Sequence, residues 1–201
     1  MENKKLNEQE SLALITQMIQ NSKKGLVVGS GNSFLFWGYL TLAVSIAIFL
    51  LLYITGNQSW FWLGIVIPVI GCLYTYWVSR RNGKRMMSYV DKVISNVWQI
   101  VGGTCAIIAL LALNYGNNIA ILPLLLLVLS VGAGITGSVI QEKSFYNCSA
   151  FGIAISLGML FNINAIVEGP LRQVFAFALA ITVVMIIPGH MVNRKAKRSN
   201  V

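Results

Sequence analysis

The chain has 201 residues, of which 56% are hydrophobic and only 10% are charged. A typical soluble domain is about 25% charged, so this composition excludes an ordinary soluble protein and favours one compact domain in lipid. The formal net charge is +9, which would indicate nucleic-acid binding in a soluble protein. In a membrane protein the same excess arises when basic residues collect on one side of the bilayer.

The N-terminal segment is polar but periodic. Asn7 and Glu10 have the spacing of a capping box, and apolar residues follow at intervals of three and four. The pattern predicts a cytoplasmic amphipathic helix over about residues 8–23 and a glycine-rich hinge up to residue 32. Its apolar face consists of Leu12, Ile15, Met18 and Ile19. Three roles stay open: the helix lies in the headgroup plane, covers the cytoplasmic end of the bundle, or binds a protein partner.

Six apolar runs dominate the rest of the chain. A helix needs about 20 apolar residues to cross ~30 Å of hydrocarbon. The runs cover residues 33–55, 60–78, 93–114, 119–140, 145–163 and 173–192. They predict an all-α integral membrane bundle of six transmembrane helices, with a basic tail at 193–201. The fifth run is the most diluted by polar residues, and Pro68 predicts a kink in the second.

Lys and Arg residues fall almost entirely on one predicted side. All but Arg172 of the 15 lie there, and the positive side is cytoplasmic. Both termini are therefore predicted in the cytoplasm, with the chain in the plasma (inner) membrane. Two basic clusters are expected to bind anionic lipid headgroups: Arg80, Arg81, Lys84, Arg85 and Arg194, Lys195, Lys197, Arg198. They are short and lack interleaved aromatic residues, so nucleic acid is not a predicted partner.

Two stretches near the N-terminus carry a resemblance. Residues 10–19 read ESLALITQMI, and residues 31–40 read GNSFLFWGYL after a polar, glycine-containing linker. This opening resembles that of a family of uncharacterised small bacterial membrane proteins with several helices. The resemblance implies a six-helix fold. It implies no activity and therefore carries over no functional residues.

The third span begins with a polar stripe. Ser95, Gln99 and Gly103 follow helical spacing, and Asp91 and Asn96 lie beside them. Such a stripe is costly in lipid. It faces either neighbouring helices, where a hydrogen bond contributes ~0.6 kcal/mol on average, or a water-filled vestibule open to the cytoplasm. If the stripe forms a vestibule, Asp91, Asn96 and Gln99 are the residues that line it.

The fourth and fifth spans carry small residues at every fourth position. Such faces let two helix backbones approach closely, so we expect these helices to pack tightly, within one chain or across a homodimer. The predicted packing positions are Gly134, Gly137, Gly152 and Gly158. A cofactor or substrate groove on the same face is the alternative.

Signals for catalysis are weak. The one histidine, His190, is interpreted as an interfacial residue near the cytoplasmic end of the last span. The sequence contains no GxSxG, HExxH or P-loop motif, and no acidic residue at mid-membrane of the kind that proton-coupled transport uses. The three cysteines lie in apolar runs and are interpreted as reduced packing residues. The sequence therefore predicts no catalytic, cofactor-binding or metal site.

The preferred hypothesis is a non-catalytic membrane accessory, sensing or protein-interaction protein, with the helix at residues 8–23 as its contact surface. The alternative is a passive channel or facilitator for a small neutral or apolar solute. That solute would enter through the face formed by Asp91, Asn96 and Gln99. A membrane enzyme is the third hypothesis.

Overall fold

A computed structural model describes residues 30–81, 89–115, 120–161 and 169–199. Every element within these residues is a helix. In chain order they are α1 (Ser30–Thr55), a 3-10 helix (Gln58–Ile65) that continues into α2 (Val66–Arg81), α3 (Tyr89–Tyr115), α4 (Ile121–Ile140), α5 (Lys143–Phe161), α6 (Pro170–Ile181), a π-helical segment (Thr182–Ile186) and α7 (Ile187–Ser199). The last three form one continuous helix.

Six helices are long and apolar enough to cross a membrane, which confirms the predicted number at the level of length and composition. They comprise Gly31–Thr55, Gln58–Val78, Lys92–Leu111, Ile121–Ile140, Lys143–Phe161 and Pro170–Arg194. The predicted amphipathic helix at residues 8–23 lies outside the described residues. The predicted basic tail begins as part of α7, which runs on to Ser199.

The fifth span is a continuous helix of 19 residues despite its polar side chains. Ser149 and Ser156 are buried, and each hydroxyl donates to a backbone carbonyl. Ser149 Oγ lies 2.8 Å from the oxygen of Tyr146, and Ser156 Oγ lies 2.7 Å from the oxygen of Pro123 on α4. Because these hydroxyls are satisfied within the protein, they do not oppose an apolar environment.

The turn between α4 and α5 makes the two helices antiparallel neighbours. Gln141 ends α4 in the left-handed conformation, with φ of 59°. Its N–H and that of Glu142 bond to the carbonyls of Ser138 and Gly137, at 3.4 and 3.0 Å. This is the usual way for a helix to satisfy its last carbonyls. Since only two residues separate the helices, α5 runs back along α4.

The core lies between α1, α4, α5 and the last helix. Its larger cluster of buried side chains comprises Phe34, Leu126, Ala133, Phe145, Met159, Phe177, Ala180, Ile181, Val184, Met185 and Val192. A smaller cluster of Val44, Ile48, Leu52 and Val174 joins α1 to α6. The end of the bundle that carries Arg80, Lys92, Lys143 and Arg194 is called the basic end below.

Two prolines account for the irregular helical segments. Pro68 is the third residue of α2, where a missing N–H is tolerated. The residues before it form the 3-10 helix, so the helix changes its hydrogen-bond pattern within the second predicted span, just before Pro68. Pro188 cannot donate to residue 184, and the π-helical segment ends two residues before it, with the N–H of Ile187 bonded to the carbonyl of Thr182. Such a bulge absorbs the missing hydrogen bond.

The helices α2 and α3 lie at the periphery. Only 6% of each of these two spans is buried, against 50% of the last span. On α2, a Cβ at Gly71 would overlap the Trp37 ring of α1, and Tyr74 stacks on Phe36 with centroids 3.6 Å apart. Both contacts join α2 to α1. Most of the surface of α2 and α3 is therefore left uncovered by the described residues.

Candidate functional site

The bundle-facing side of α3 is anchored by Trp98 and Val101. Trp98 Nε1 donates to Thr136 Oγ1 of α4 at 3.1 Å, and its ring meets Phe34 of α1 edge-on at 5.1 Å. Val101 is 7% exposed. It packs against Gly132, where an added Cβ would lie 2.7 Å from Val101 Cγ2. A residue larger than glycine at position 132 would therefore push α3 away from α4.

The predicted polar stripe lies on the opposite side of α3. With 3.6 residues per turn, Asn96, Gln99 and Gly103 share the side that faces away from Val101, and all three are exposed. Among the described residues, neither the Asn96 nor the Gln99 carboxamide has a hydrogen-bond partner. Asp91 belongs to α3, but its side chain lies outside the part that the structure describes. Asn96 and Gln99 therefore face away from the described part of the bundle.

Neither of two shallow depressions on the described surface includes the polar stripe. The larger, of about 460 Å³, is lined by Asn57, Ser59, Trp60, Trp62, Leu63 and Val66 at the end opposite the basic end. Its polar groups bond locally: Asn57 accepts from the Ser59 N–H at 3.0 Å, and Trp60 Nε1 donates to Thr55 Oγ1 at 2.8 Å. The smaller, of about 220 Å³, surrounds the α4–α5 turn. These polar groups of the larger depression therefore have partners within the turn itself.

Three of the four predicted packing glycines lie where α4 and α5 meet. A Cβ at Gly134 would lie 2.7 Å from Ser149 Oγ, and one at Gly137 would lie 2.6 Å from the Cβ of Phe145. A Cβ at Gly152 would collide with Ser130 and Val184. Gly158 differs, because it is exposed and nothing lies within 4 Å of its added Cβ. These packing contacts occupy the small-residue face of α4 and α5, on which the sequence allowed a cofactor or substrate groove as the alternative.

At the basic end, polar contacts join α1 to α7. The sequence did not predict them. Asn193 Nδ2 donates to Asn32 Oδ1 at 2.8 Å, and the Tyr39 hydroxyl lies 2.7 Å from His190 Nε2. His190 and Tyr39 are 151 positions apart, so no local pattern could pair them. The one available signal was the helical spacing of two polar residues, His190 and Asn193, just before the basic run that begins at Arg194.

The predicted headgroup-binding residues are only partly described. Arg80 is exposed, with its guanidinium carbon 5.4 Å from the centroid of the Tyr76 ring, and Arg194 is exposed on α7. Lys84 and Arg85 lie outside the described residues, and nothing is described for the side chains of Arg81, Lys195, Lys197 and Arg198. Headgroup binding stays a prediction.

The described residues contain no group of three or more His, Cys, Asp or Glu that could hold a metal ion. Cys72, Cys105 and Cys148 are free thiols. No protein-family model, curated protein or solved structure matches the chain.

The outward side of α3 is the candidate functional site, because its two exposed carboxamides have no hydrogen-bond partner among the described residues. It is called the α3 outer face below. It comprises Asn96, Gln99, Gly103 and Ala106, all exposed.

Proposed function

We propose that the protein is a non-catalytic accessory protein of the plasma membrane that uses the α3 outer face to bind another membrane-embedded helix. The observation that carries the proposal is the pair of outward carboxamides, Asn96 and Gln99, without a hydrogen-bond partner among the described residues. Burial against a second helix would give them one.

The cost of leaving Gln99 in lipid supports this proposal. Gln99 lies seven residues along α3 from Lys92, which is about 10 Å at 1.5 Å per residue. Lys92 is exposed, and a lysine at this position keeps its ammonium group at headgroup level. Gln99 then lies within the hydrocarbon, where an unsatisfied polar group costs several kcal/mol. A helix that bonds to the carboxamide removes this cost.

The orientation belongs to the same proposal. The exposed basic side chains Arg80, Lys92, Lys143 and Arg194 lie at one end of the bundle, and Arg172 lies at the other. This distribution supports a cytoplasmic basic end and cytoplasmic termini. The segment at residues 8–23 would then lie on the cytoplasmic side, where it offers a second contact surface for the same partner.

The outward direction of Asn96 and Gln99 favours interaction over solute passage. A channel or facilitator needs polar groups that line a path through the protein. Among the described residues, neither of the two depressions includes Asn96 or Gln99. The small-residue face of α4 and α5 is occupied by their mutual packing.

Photocrosslinking in intact membranes tests the proposal. A benzophenone side chain is placed at Ile100, which is 71% exposed beside the α3 outer face, or at Leu73 of α2, which is 64% exposed. We expect a polypeptide adduct from position 100 and only lipid adducts from position 73. If position 100 also gives only lipid adducts, the α3 outer face binds no protein and the proposal fails.

A further inference from the structure

The α3 outer face has the spacing of a helix-pairing seam. Asn96 and Gly103 are seven residues apart, as are Gln99 and Ala106, and the intervals along the face alternate between three and four. This is the a and d spacing of a left-handed coiled coil, which is also the crossing geometry of most membrane helix pairs. The side of α3 that the bundle leaves uncovered therefore has the spacing that pairing with another helix requires, and this row of four residues is called the seam below.

We infer that the partner helix is α3 of a second copy of this chain, related by a two-fold axis perpendicular to the membrane. This inference rests on the proposed function and specifies its partner. In such a dimer the two α3 helices are parallel, and each residue on the seam meets its own equivalent. The face must therefore be complementary to itself.

The two carboxamides meet that requirement. Each has one acceptor oxygen and two N–H donors, so an amide can donate to its equivalent and accept from it at the same time. An asparagine at an a position fixes the register of paired helices and their number. No charged residue lies between positions 96 and 106, so two copies meet there without like-charge repulsion. Lys92 continues the spacing, but its long side chain reaches the headgroup region.

The other half of the seam permits close approach. Nothing lies within 4 Å of an added Cβ at Gly103, and Ala106 is exposed one turn further on. Small residues let helix backbones approach in lipid, where dispersion and hydrogen bonds replace a hydrophobic drive. Ile100 and Ile107, 71% and 60% exposed, lie along one edge of the seam and can cover that edge from lipid. The seam thus has two amides that can hydrogen-bond to their equivalents and two small residues that permit close approach.

Disulfide trapping tests the dimer in membranes that contain the full chain. Two differently tagged copies are coexpressed with the native cysteines replaced by alanine, and each carries Ala106→Cys. The control is Val69→Cys on α2, which is 53% exposed. Mild oxidation is expected to give a mixed dimer bearing both tags from Ala106→Cys and none from Val69→Cys. Equal yields from the two variants would mean random collision and would overturn the inference.

A second measurement tests the amides. Asn96→Leu combined with Gln99→Leu is expected to weaken dimerisation about tenfold, as monitored by energy transfer between labelled copies in bilayers. The control is Asn147→Leu, which removes an exposed carboxamide from α5 and should leave dimerisation unchanged. An unchanged dimer in the double variant would overturn the role of the amides.

Photocrosslinking at position 100 and disulfide trapping at position 106 together separate the inference from the proposed function. If the photocrosslinker at position 100 captures a different polypeptide and Ala106→Cys stays monomeric, the second copy is excluded while the α3 outer face remains a protein-binding surface. If neither experiment yields a polypeptide adduct, both ideas fall.

Discussion

The helix pair α4 and α5 and the outer side of α3 contain similar small and polar residues. In the pair these residues are packed, and on α3 they are exposed. In the pair, Gly134, Gly137 and Gly152 face neighbouring atoms too close for a larger side chain, and the Ser156 hydroxyl bonds across to α4. On α3, Gly103 faces open space, and Gln99 is exposed. Small and polar residues in an apolar helix therefore do not by themselves show whether that side of the helix packs against the rest of the chain.

The largest effect is expected where α3 joins the bundle. Trp98→Ala removes the hydrogen bond to Thr136 and the edge contact with Phe34, so unfolding in detergent should become easier by about 3 kcal/mol. Trp62→Ala, at a side chain that is 58% exposed, serves as the control and should change stability little. Equal losses from the two variants would show that α3 is not anchored through Trp98.

The close approach of α4 and α5 gives the next effect. Gly152→Val places side-chain atoms against Ser130 and Val184, and such overpacking costs about 1 to 3 kcal/mol. Gly158→Val, where nothing lies within 4 Å of the added Cβ, should cost less than about 0.5 kcal/mol. Thermal unfolding of both variants in the same detergent measures the difference. If they lose stability equally, close packing at Gly152 is refuted.

Two buried serines of α4 and α5 are expected to contribute differently to stability. Ser156→Ala removes a hydroxyl that donates to Pro123 and should cost about 1 kcal/mol. Ser130 is fully buried and its hydroxyl has no hydrogen-bond partner within the part of the chain that the structure describes, so Ser130→Ala should be neutral or slightly stabilising. Denaturant titration monitored by tryptophan fluorescence can compare the two. A greater loss from Ser130→Ala would indicate a bond that the described contacts do not contain.

Much of the fold could be predicted because hydropathy and helix length are local properties. The fifth run is the most diluted by polar residues, and its buried serines bond to carbonyls of α5 and α4. Small-residue spacing predicted close contact at Gly134, Gly137 and Gly152, but the same spacing included Gly158, which contacts nothing. The rotation of a helix about its axis decides between these outcomes, and neighbouring helices set that rotation.

The sequence predicted which residues form the candidate site but not which way they face. The stripe at Asn96 and Gln99 was recognised because carboxamides are costly in lipid. Its outward orientation follows from Trp98 and Val101, which hold the other side of α3 against α4 and α1. The contact between Tyr39 and His190 was missed for a related reason, since it depends on how two distant helices pack.

The central claim is that the α3 outer face binds a helix in the membrane and that this helix belongs to a second copy. Oxidative trapping of coexpressed, differently tagged chains with Ala106→Cys tests it most directly. We expect a mixed dimer that the Val69→Cys control does not form. A chain that stays monomeric at Ala106→Cys, at the same expression level and oxidation time, would contradict it.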